Sequence, residues 1–308
     1  MKIVYMGTPD FAVPVLRAIA EAGHEVGMVI TQPDRKRNRG KVTFSPVKNA
    51  ALELGIPVLQ PERLNRDEEA KAKLKEYAPD AFVVTAYGQI LSREVLDIPR
   101  LGCYNVHASL LPQLRGAAPM QHAILQGLEK TGVTIMKMDE GMDTGDIAAF
   151  AATPIGRKNF EQLHDTLAAM GADLIVEELY AIEHGEADFV PQGEEGVTYA
   201  PRLSRQDGKI DFSRTAEQID RQIRAFDPWP GAFCRKGEDV IKFWCAEAED
   251  EESGKAPGTV LSTDGGVLRI ACGKGTLAVT ELQAPGKKRM LFSDYLRGHP
   301  VETGTVLE

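Results

Sequence analysis

In the first half of the chain, short apolar runs alternate with segments whose apolar residues recur at helical spacing. The runs predict strands over residues 2–6, 25–31, 56–59, 81–85, 102–106 and 132–138. The segments between them predict helices over residues 11–22, 46–54, 66–77 and 118–126. This alternation is typical of an α/β fold, so we expect a doubly wound, mostly parallel sheet.

A longer helical pattern and then a change of composition follow. Asn159 and Gln162 form a capping-box sequence at the start of a helix predicted to end near residue 183. Residues 185–209 are rich in Gly, Pro and polar residues, and a short helix is predicted over 215–225. Strand-like runs over 240–245, 259–261, 267–272 and 276–282 then predict a small β-barrel. We expect one domain over residues 1–189, a linker over 190–206 and a second domain over 207–308.

The balance of charge limits the classes of partner. The chain of 308 residues is 43% hydrophobic and 26% charged, which excludes a disordered protein. Its formal net charge of −9 argues against a general nucleic-acid binder, because phosphate contacts need positive surface. The charge is unevenly spread: residues 34–48 hold six Lys or Arg against one Asp, and Lys287, Lys288 and Arg289 form a second basic cluster. These clusters leave room for local anion-binding surfaces.

Cysteine usage and hydropathy bear on the compartment. The four cysteines are scattered and form no C-x-x-C pair, which fits a reducing compartment and disfavours a disulfide scaffold. The first residues lack a signal-peptide pattern, and no apolar run approaches about 18 residues. We expect a cytoplasmic, soluble protein with no membrane partner. His, Cys and carboxylate residues show no metal-ligand spacing, so we expect no catalytic metal.

Polar side chains cluster after two predicted strands. Asn105 and His107 are two residues apart at the end of the strand over 102–106, so they share one side of an extended segment. The strand over 132–138 precedes a segment that contains Asp143, and we expect its carboxylates at the same edge of a parallel sheet. An amide, an imidazole and a carboxylate together suit acyl-type transfer. The alternative is that Asn105 and His107 cap a loop and Asp143 satisfies a turn, and the residue pattern leaves both open.

Two glycine-containing segments carry weaker signals. Residues 7–10 sit where a dinucleotide-binding turn would lie, but they lack the second and third glycines of G-x-G-x-x-G. Residues 273–276 have the wrong spacing for a P-loop and predict a hairpin turn between two strands of the barrel. Neither segment therefore predicts a nucleotide site.

The stretch around Asn105 resembles a family signature. Asn105-x-His107 is followed by Ser109-Leu110-Leu111-Pro112 and then by Arg115-Gly116-x-x-Pro119, a pattern similar to that of folate-dependent formyltransferases. The segment Asp143-Thr144-Gly145-Asp146 is similar to their second motif. The resemblance extends over nearly the whole chain and includes residues 7–12, 31–48, 199–201, 207–211, 223–231 and 286–290.

This resemblance implies a Rossmann-like formyltransferase domain followed by a C-terminal barrel similar to an OB-fold. It also implies transfer of a formyl group from 10-formyltetrahydrofolate, as co-substrate, to the α-amino group of methionine esterified to initiator tRNA. We expect the chain to act as a monomer.

Residue roles follow from the same resemblance. The implied catalytic residues are Asn105, His107 and Asp143. The implied folate-binding residues are Ser109, Leu110, Leu111 and Pro112. The implied tRNA contacts are Arg39, Lys41, Lys287, Lys288 and Arg289. Trp229 and Phe233 are expected in the barrel core or an interface rather than as base-stacking platforms.

Two other functions remain open. A folate-dependent formyltransferase could act on a small amine, either a purine precursor or an amino sugar, although the single-domain purine enzymes lack a barrel. A non-catalytic RNA-binding relative is the second alternative. The presence of Asn105, His107 and Asp143 together argues against it, because a binding module has no need of all three.

Overall fold

The computed structural model describes residues 1–37 and 41–308, and the chain divides into two compact units. The first unit comprises Met1–Pro119, Lys130–Pro154 and His164–Ala200. The second comprises Met120–Glu129, Ile155–Leu163 and Pro201–Glu308. Arg39 lies outside the described residues.

The first unit is built on a seven-stranded sheet in the order β10-β9-β7-β6-β1-β2-β5. Strands β1, β2, β5, β6 and β7 are parallel, β9 is antiparallel to β7, and β10 is antiparallel to β9. Two short pairs, β3 with β4 and β8 with β11, lie outside this sheet. The strands are β1 Lys2–Gly7, β2 Glu25–Ile30, β3 Arg35–Arg37, β4 Lys41–Thr43, β5 Val58–Leu59, β6 Ala81–Thr85, β7 Gly102–His107, β8 Arg115–Gly116, β9 Lys130–Lys137, β10 Ile147–Pro154 and β11 Tyr199–Ala200.

Helices connect these strands and bury one face each. Helix α1 buries Val15, Leu16 and Ile19, which recur at helical spacing. Strand β6 is buried along its whole length, as expected for a central parallel strand. The helices in this part of the chain are α1 Val13–Glu21, α2 Pro46–Glu53, α3 Glu68–Tyr77, α4 Arg93–Leu96, α5 Pro119–Leu125 and α6 Phe160–His184. At the start of α6 the amides and side chains of Asn159 and Gln162 bond reciprocally, which confirms the predicted capping box.

Two features of this sheet differ from the sequence prediction. Strand β9 is antiparallel to β7, so it does not end at the edge where β7 ends. Strand β10 was not predicted, because Ala residues fill much of its sequence and blur the alternation of apolar and polar positions. The mostly parallel α/β sheet is confirmed. A helix lies between β7 and β9, but its presence does not require the two strands to be parallel.

The second unit is an antiparallel sheet in the order β12-β13-β16-β15-β14, with β17 paired to β16. Residues 304–308 bond to β14 through Val260 and to β12 through Arg235, so they connect the two edges and close the curled sheet. Helix α7 packs Ile219 and Ile223 into its core and begins with a capping box of Thr215 and Gln218. The predicted OB-like barrel is confirmed. Its elements are α7 Ala216–Ala225, β12 Ala232–Lys236, β13 Asp239–Glu249, β14 Val260–Ser262, β15 Leu268–Ala271, β16 Thr276–Gln283, β17 Met290–Leu291 and α8 Phe292–Leu296.

Hydropathy and turn geometry complete the description. None of the helices in the described part of the chain combines the length and apolar character needed to cross a membrane. The segment over 273–276 joins β15 to β16, and Cys272 bonds back to the carbonyl of Gly275, which confirms the predicted hairpin turn.

Candidate active site

Strand β7 places Asn105 and His107 on one side of the sheet. The strand runs between β6 and β9, and Asn105 lies opposite Val84 and Met136. Because side chains alternate along a strand, Asn105 and His107 share a side while Tyr104 and Val106 point the other way. His107 is buried and Asn105 is partly exposed, so the pair combines an enclosed imidazole with a more accessible amide.

The His107 ring lies between a carbonyl and a carboxylate. Its Nε2 lies 3.1 Å from the carbonyl oxygen of Leu114, and its Nδ1 lies 3.7 Å from Oδ2 of Asp143. Since a carbonyl only accepts hydrogen bonds, Nε2 carries a hydrogen. The second ring nitrogen, Nδ1, faces Asp143.

Asp143 is held by the backbone N–H of Gly116 and lies next to Asn105 of β7. Its Oδ2 accepts a hydrogen bond from the backbone N–H of Gly116 at 2.8 Å, and its Oδ1 lies 3.5 Å from Nδ2 of Asn105. Its φ of 56° is in the left-handed region, which is uncommon for a residue other than glycine. The structure thus brings Asn105, His107 and Asp143 together.

The segment that carries Asp143 reaches the site by an unexpected route. Because β9 is antiparallel to β7, Met138 begins this segment beside Cys103, near the start of β7. Asp139 accepts hydrogen bonds from the N–H of Gly141 and the hydroxyl of Thr144, which shape the turn. A Cβ at Gly145 would lie 1.8 Å from the carbonyl oxygen of Lys137, so this position needs glycine. The expectation of a shared sheet edge was wrong, and this compact turn is what returns Asp143 to Asn105.

The two other polar side chains of β7 take no part in proton transfer near neutral pH. Burial raises the pKa of the Cys103 thiol well above its usual range. Burial, with a smaller effect of neighbouring acidic groups, raises the pKa of Tyr104 to about 12. Both groups therefore stay protonated near neutral pH.

The predicted folate segment continues from β7. Ser109 is buried and its hydroxyl donates to the carbonyl of Gln113 at 2.6 Å. Thr134 donates its hydroxyl to the carbonyl of Ser109 at 2.7 Å and accepts from the N–H of Leu111. Leu111 is buried, whereas Leu110 and Pro112 are partly exposed. The segment is therefore a fixed turn with two apolar side chains that a ligand can reach.

Gln192 is a site residue that the sequence interpretation missed. Its amide nitrogen bonds to the carbonyl oxygens of Asp143 and Gly145, and its oxygen accepts from the buried guanidinium of Arg115. Gln192 falls in the segment predicted as a linker, where a polar residue carries no positional signal. Arg115 belongs to the recognised motif but had no assigned role.

The basic residues of the barrel fall into two kinds. Lys287 and Lys288 are exposed, and neither makes an ion pair within residues 1–37 and 41–308. Arg289 instead pairs with Asp227 at 2.9 Å and with Glu281 at 2.6 Å. Burial by itself would lower the pKa of Arg289, but the hydrogen bonds that it donates to Glu281 and Asp227 outweigh this effect and raise the pKa.

Aromatic residues accompany this basic cluster. Lys242 and Arg289 both lie over the Trp244 ring, at 5.4 and 5.5 Å from its centre. Trp229 is 50% exposed, so it does not pack in the barrel core, and the other expectation, that it lies in an interface, stays a prediction. The Nζ of Lys242 lies 3.4 Å from the carbonyl of Pro230, the residue that follows Trp229 in the chain. The low aromatic content of the chain carried no indication that cationic side chains lie over Trp244.

Within residues 1–37 and 41–308, no group of three or more His, Cys, Asp or Glu side chains is arranged to hold a metal ion. The site chemistry that the geometry displays is that of an amide, an imidazole and a carboxylate.

Two family models match successive parts of the chain. Residues 1–179 match the family model "Formyl transferase", and residues 202–300 match "Formyl transferase, C-terminal domain". A methionyl-tRNA formyltransferase of Gluconobacter oxydans is 49% identical over 100% of both chains. One of Lachnospira eligens is 46% identical over 100% of this chain and 99% of its own length.

A solved structure has a similar fold. WlaRD, a sugar 3N-formyl transferase crystallised with dTDP and 5-N-formyl-THF, aligns with a TM-score of 0.70 and 22% identity. The alignment covers 94% of this chain and 99% of that one. At 22% identity, this similarity shows that the two chains share a fold and shows nothing about function.

Proposed function

We infer, from the premise that this chain belongs to the formyl transferase family, that it transfers the formyl group of 10-formyltetrahydrofolate to the α-amino group of methionyl-initiator tRNA. Full-length relatives named methionyl-tRNA formyltransferase support the substrate, and both family domains are present. The observation that carries the chemistry is the convergence of Asn105, His107 and Asp143 at one centre.

The two β7 side chains are proposed to stabilise the transition state. When the neutral amine attacks the formyl carbon, the formyl oxygen becomes an oxyanion of a tetrahedral intermediate. The Asn105 amide nitrogen lies 3.5 Å from Oδ1 of Asp143, a long contact that a stronger acceptor can replace. One such donor typically contributes about 3–4 kcal/mol, or roughly a hundred- to a thousandfold in rate. A protonated His107 adds a positive charge near the oxyanion, while its Nε2 faces the Leu114 carbonyl and its Nδ1 faces Asp143.

Asp143 is proposed to set the orientation of His107. The carboxylate beside Nδ1 orients the ring, and it attracts the positive charge of the ring when the ring is protonated. The amine becomes an ammonium on attack and must lose a proton, and N10 of the folate must gain one as its bond to the formyl carbon breaks. The Asp143 carboxylate accepts the first proton and the pair returns one to the leaving nitrogen, so the protons balance over the cycle.

The turn after β7 is proposed to hold the folate. Leu110 and Pro112 offer accessible apolar surface, and Ser109 and Thr134 fix the backbone that carries them. An apolar slot with fixed polar groups suits a flat heterocycle such as the pterin. The segment continues directly from His107, so a folate held there presents its formyl group near the catalytic residues.

The barrel cluster is proposed as a tRNA-binding surface. Lys287 and Lys288 are exposed and unpaired within the described ranges, which suits phosphate contact. Trp229 supplies an exposed aromatic side chain, and the carbonyl of the next residue, Pro230, contacts Lys242. Arg289 already binds two carboxylates, so its proposed role is to hold Trp244 and the 227–231 segment rather than to bind a phosphate directly.

Arg39 and Lys41 are proposed to contact the acceptor end of the tRNA. Lys41 begins β4, in the segment that follows β2. Strand β2 is parallel to β1 and, through β6, to β7, so its carboxyl end lies at the same sheet edge as that of β7. Chain leaving that edge starts on the same side as His107, which supports a role for both residues near the aminoacyl ester.

Domain limits of 1–189 and 207–308, joined by 190–206, are proposed as functional boundaries. A cytoplasmic location is proposed because the substrate is a charged tRNA. The expectation of a monomer stays a prediction.

The test is a formylation assay with labelled 10-formyltetrahydrofolate. Purified protein is offered methionyl-initiator tRNA, methionyl-elongator tRNA, free methionine and a nucleotide-linked amino sugar. We expect label to enter methionyl-initiator tRNA and to be lost in the Asp143→Asn variant. Transfer to the amino sugar with none to the tRNA would replace the proposal by the small-amine alternative.

A further inference from the structure

The carboxamide of Gln192 connects Arg115 to the segment that carries Asp143. Its nitrogen lies 3.0 Å from the carbonyl oxygen of Asp143 and 2.7 Å from that of Gly145. Its oxygen accepts two hydrogen bonds from Arg115, from Nε at 3.1 Å and from a terminal nitrogen at 2.7 Å. Both ends of the amide are therefore used at once.

The orientation of this amide follows from the chemistry of its partners. Backbone carbonyls only accept hydrogen bonds and a guanidinium only donates them. The amide nitrogen must face the carbonyls and the oxygen must face Arg115. No other uncharged side chain of this length supplies two donors on one side and a double acceptor on the other.

Gln192 contacts the backbone of residues 143–145, where Asp143 has an unfavourable conformation. Asp143 is in the left-handed region at a φ of 56°, a conformation that costs free energy for a residue with a Cβ. Such a conformation persists when neighbouring contacts determine it. The Gly116 N–H fixes the Asp143 carboxylate, and Gln192 fixes its backbone carbonyl, so the residue is restrained at both ends.

Arg115 is a firm base for this restraint. Its side chain is buried, its own N–H donates to the carbonyl of Thr198, and β8 pairs with β11. The adjacent Gly116 is the residue that bonds the Asp143 carboxylate. One dipeptide, Arg115-Gly116, thus positions Asp143 twice, once directly and once through Gln192.

We propose that Gln192 is a positioning residue that sets the distance between Asp143 and His107, an inference that rests on the proposed function for its effect on catalysis. The contact from Asp143 Oδ2 to His107 Nδ1 is 3.7 Å, and it changes when the Asp143 backbone moves. Gln192 contacts no reacting atom in this assignment. It acts through the backbone of Asp143.

Two variants separate positioning from general stability. Gln192→Glu keeps oxygens for Arg115 and gains an ion pair with it, but it removes both donors and turns a carboxylate towards two carbonyls. Gln192→Met keeps the volume and removes both functions. Gly193→Ala is the matched control, because the nearest atom to its added Cβ is 4.0 Å away.

Kinetics give the first readout. We expect Gln192→Glu to lower kcat by about ten- to a hundredfold, because a small misplacement of a catalytic group has effects of that size. KM for both substrates and the thermal midpoint should stay near the wild-type values. Gln192→Met lacks both the donors and the acceptor, and it should lower kcat in the same way. The proposal is overturned if kcat of Gln192→Glu stays within twofold of wild type. It is also overturned if the loss of kcat comes with a lowered thermal midpoint, because the effect is then one of general stability.

Hydrogen exchange gives a readout that needs no activity. In Gln192→Glu the amide of Gly116 and those of residues 139–146 should exchange at least about tenfold faster, because their acceptor or its support is displaced. The helix α1 amides serve as an internal reference. Unchanged exchange at Gly116 would also overturn the proposal. Faster exchange in a protein that formylates no tRNA would uphold the positioning and reject the proposed function.

Discussion

Oδ2 of Asp143 accepts the backbone hydrogen of Gly116 at 2.8 Å and stands 3.7 Å from Nδ1 of His107. The first contact is a full hydrogen bond and the second is longer than one. Catalytic hydrogen bonds are often long before substrate is present and shorten in the reacting complex. A proton arriving on Nδ1 adds charge attraction between the two groups, so the pair is arranged to tighten when the imidazole becomes imidazolium.

Removing either the amide of Asn105 or the ring of His107 should slow the chemical step. His107→Ala and Asn105→Ala are each expected to lower kcat by at least about a hundredfold, with tRNA affinity within a few fold of wild type. Steady-state kinetics and a filter-binding assay measure the two effects. His184→Ala, an exposed histidine at the end of α6, is the control. Near-normal turnover in either β7 variant would reject the oxyanion assignment.

Removing the charge of Asp143 should remove most of the activity while the turn stays intact. Asn still accepts from Gly116 and tolerates the left-handed conformation, so Asp143→Asn keeps the local structure. We expect a loss on the order of a hundredfold in kcat, because the imidazolium loses its counter-charge. Asp173→Asn, on the exposed side of α6, is the control. If Asp143→Asn turns over normally, Asp143 is only a turn residue.

A methyl group at Gly145 should displace the same carboxylate without touching it. The added Cβ would lie 1.8 Å from the carbonyl oxygen of Lys137, a backbone atom that cannot swing aside. Gly145→Ala is therefore expected to lower kcat by roughly tenfold or more, since the turn must shift. Gly193→Ala should leave kcat unchanged. Equal kcat for both variants would show that the turn tolerates displacement.

The sequence predicted the parts of this site that depend on local spacing. Asn105 and His107 share a side because they are two residues apart on a strand, and that spacing is visible in the sequence. The direction of β9 is set by how it pairs with β7 and β10, a non-local choice that local patterns do not encode. Gln192 contacts Asp143 across 49 positions of the chain, so only the folded structure reveals it.

Enlarging the turn after β7 should weaken folate binding. Leu111 is buried beside the partly exposed Leu110 and Pro112, so a larger side chain must push the turn outward. Leu111→Trp is expected to raise the dissociation constant of the folate donor more than that of tRNA, measured by calorimetry. Leu111→Met preserves the volume and should bind normally. Unchanged donor affinity in Leu111→Trp would refute the proposed placement of the folate.

Neutralising Lys287 and Lys288 of the barrel should weaken tRNA binding in a way that depends on salt. With a net charge of −9 the protein repels a polyanion at long range, so affinity must come from local positive surface. Each lost phosphate contact reduces the slope of log affinity against log salt by roughly 0.7–0.9. Lys287→Gln combined with Lys288→Gln is therefore expected to lower that slope and to weaken initiator and elongator tRNAs alike, because phosphate contacts carry no sequence information. The double change Lys73→Gln and Lys75→Gln on α3 alters net charge equally and serves as the control for bulk charge. Since Arg289 is already bound to Asp227 and Glu281, Arg289→Gln should instead destabilise the barrel and change the slope little. An unchanged slope for the Lys287 and Lys288 pair, with the control also unchanged, would remove this cluster from the tRNA-binding surface.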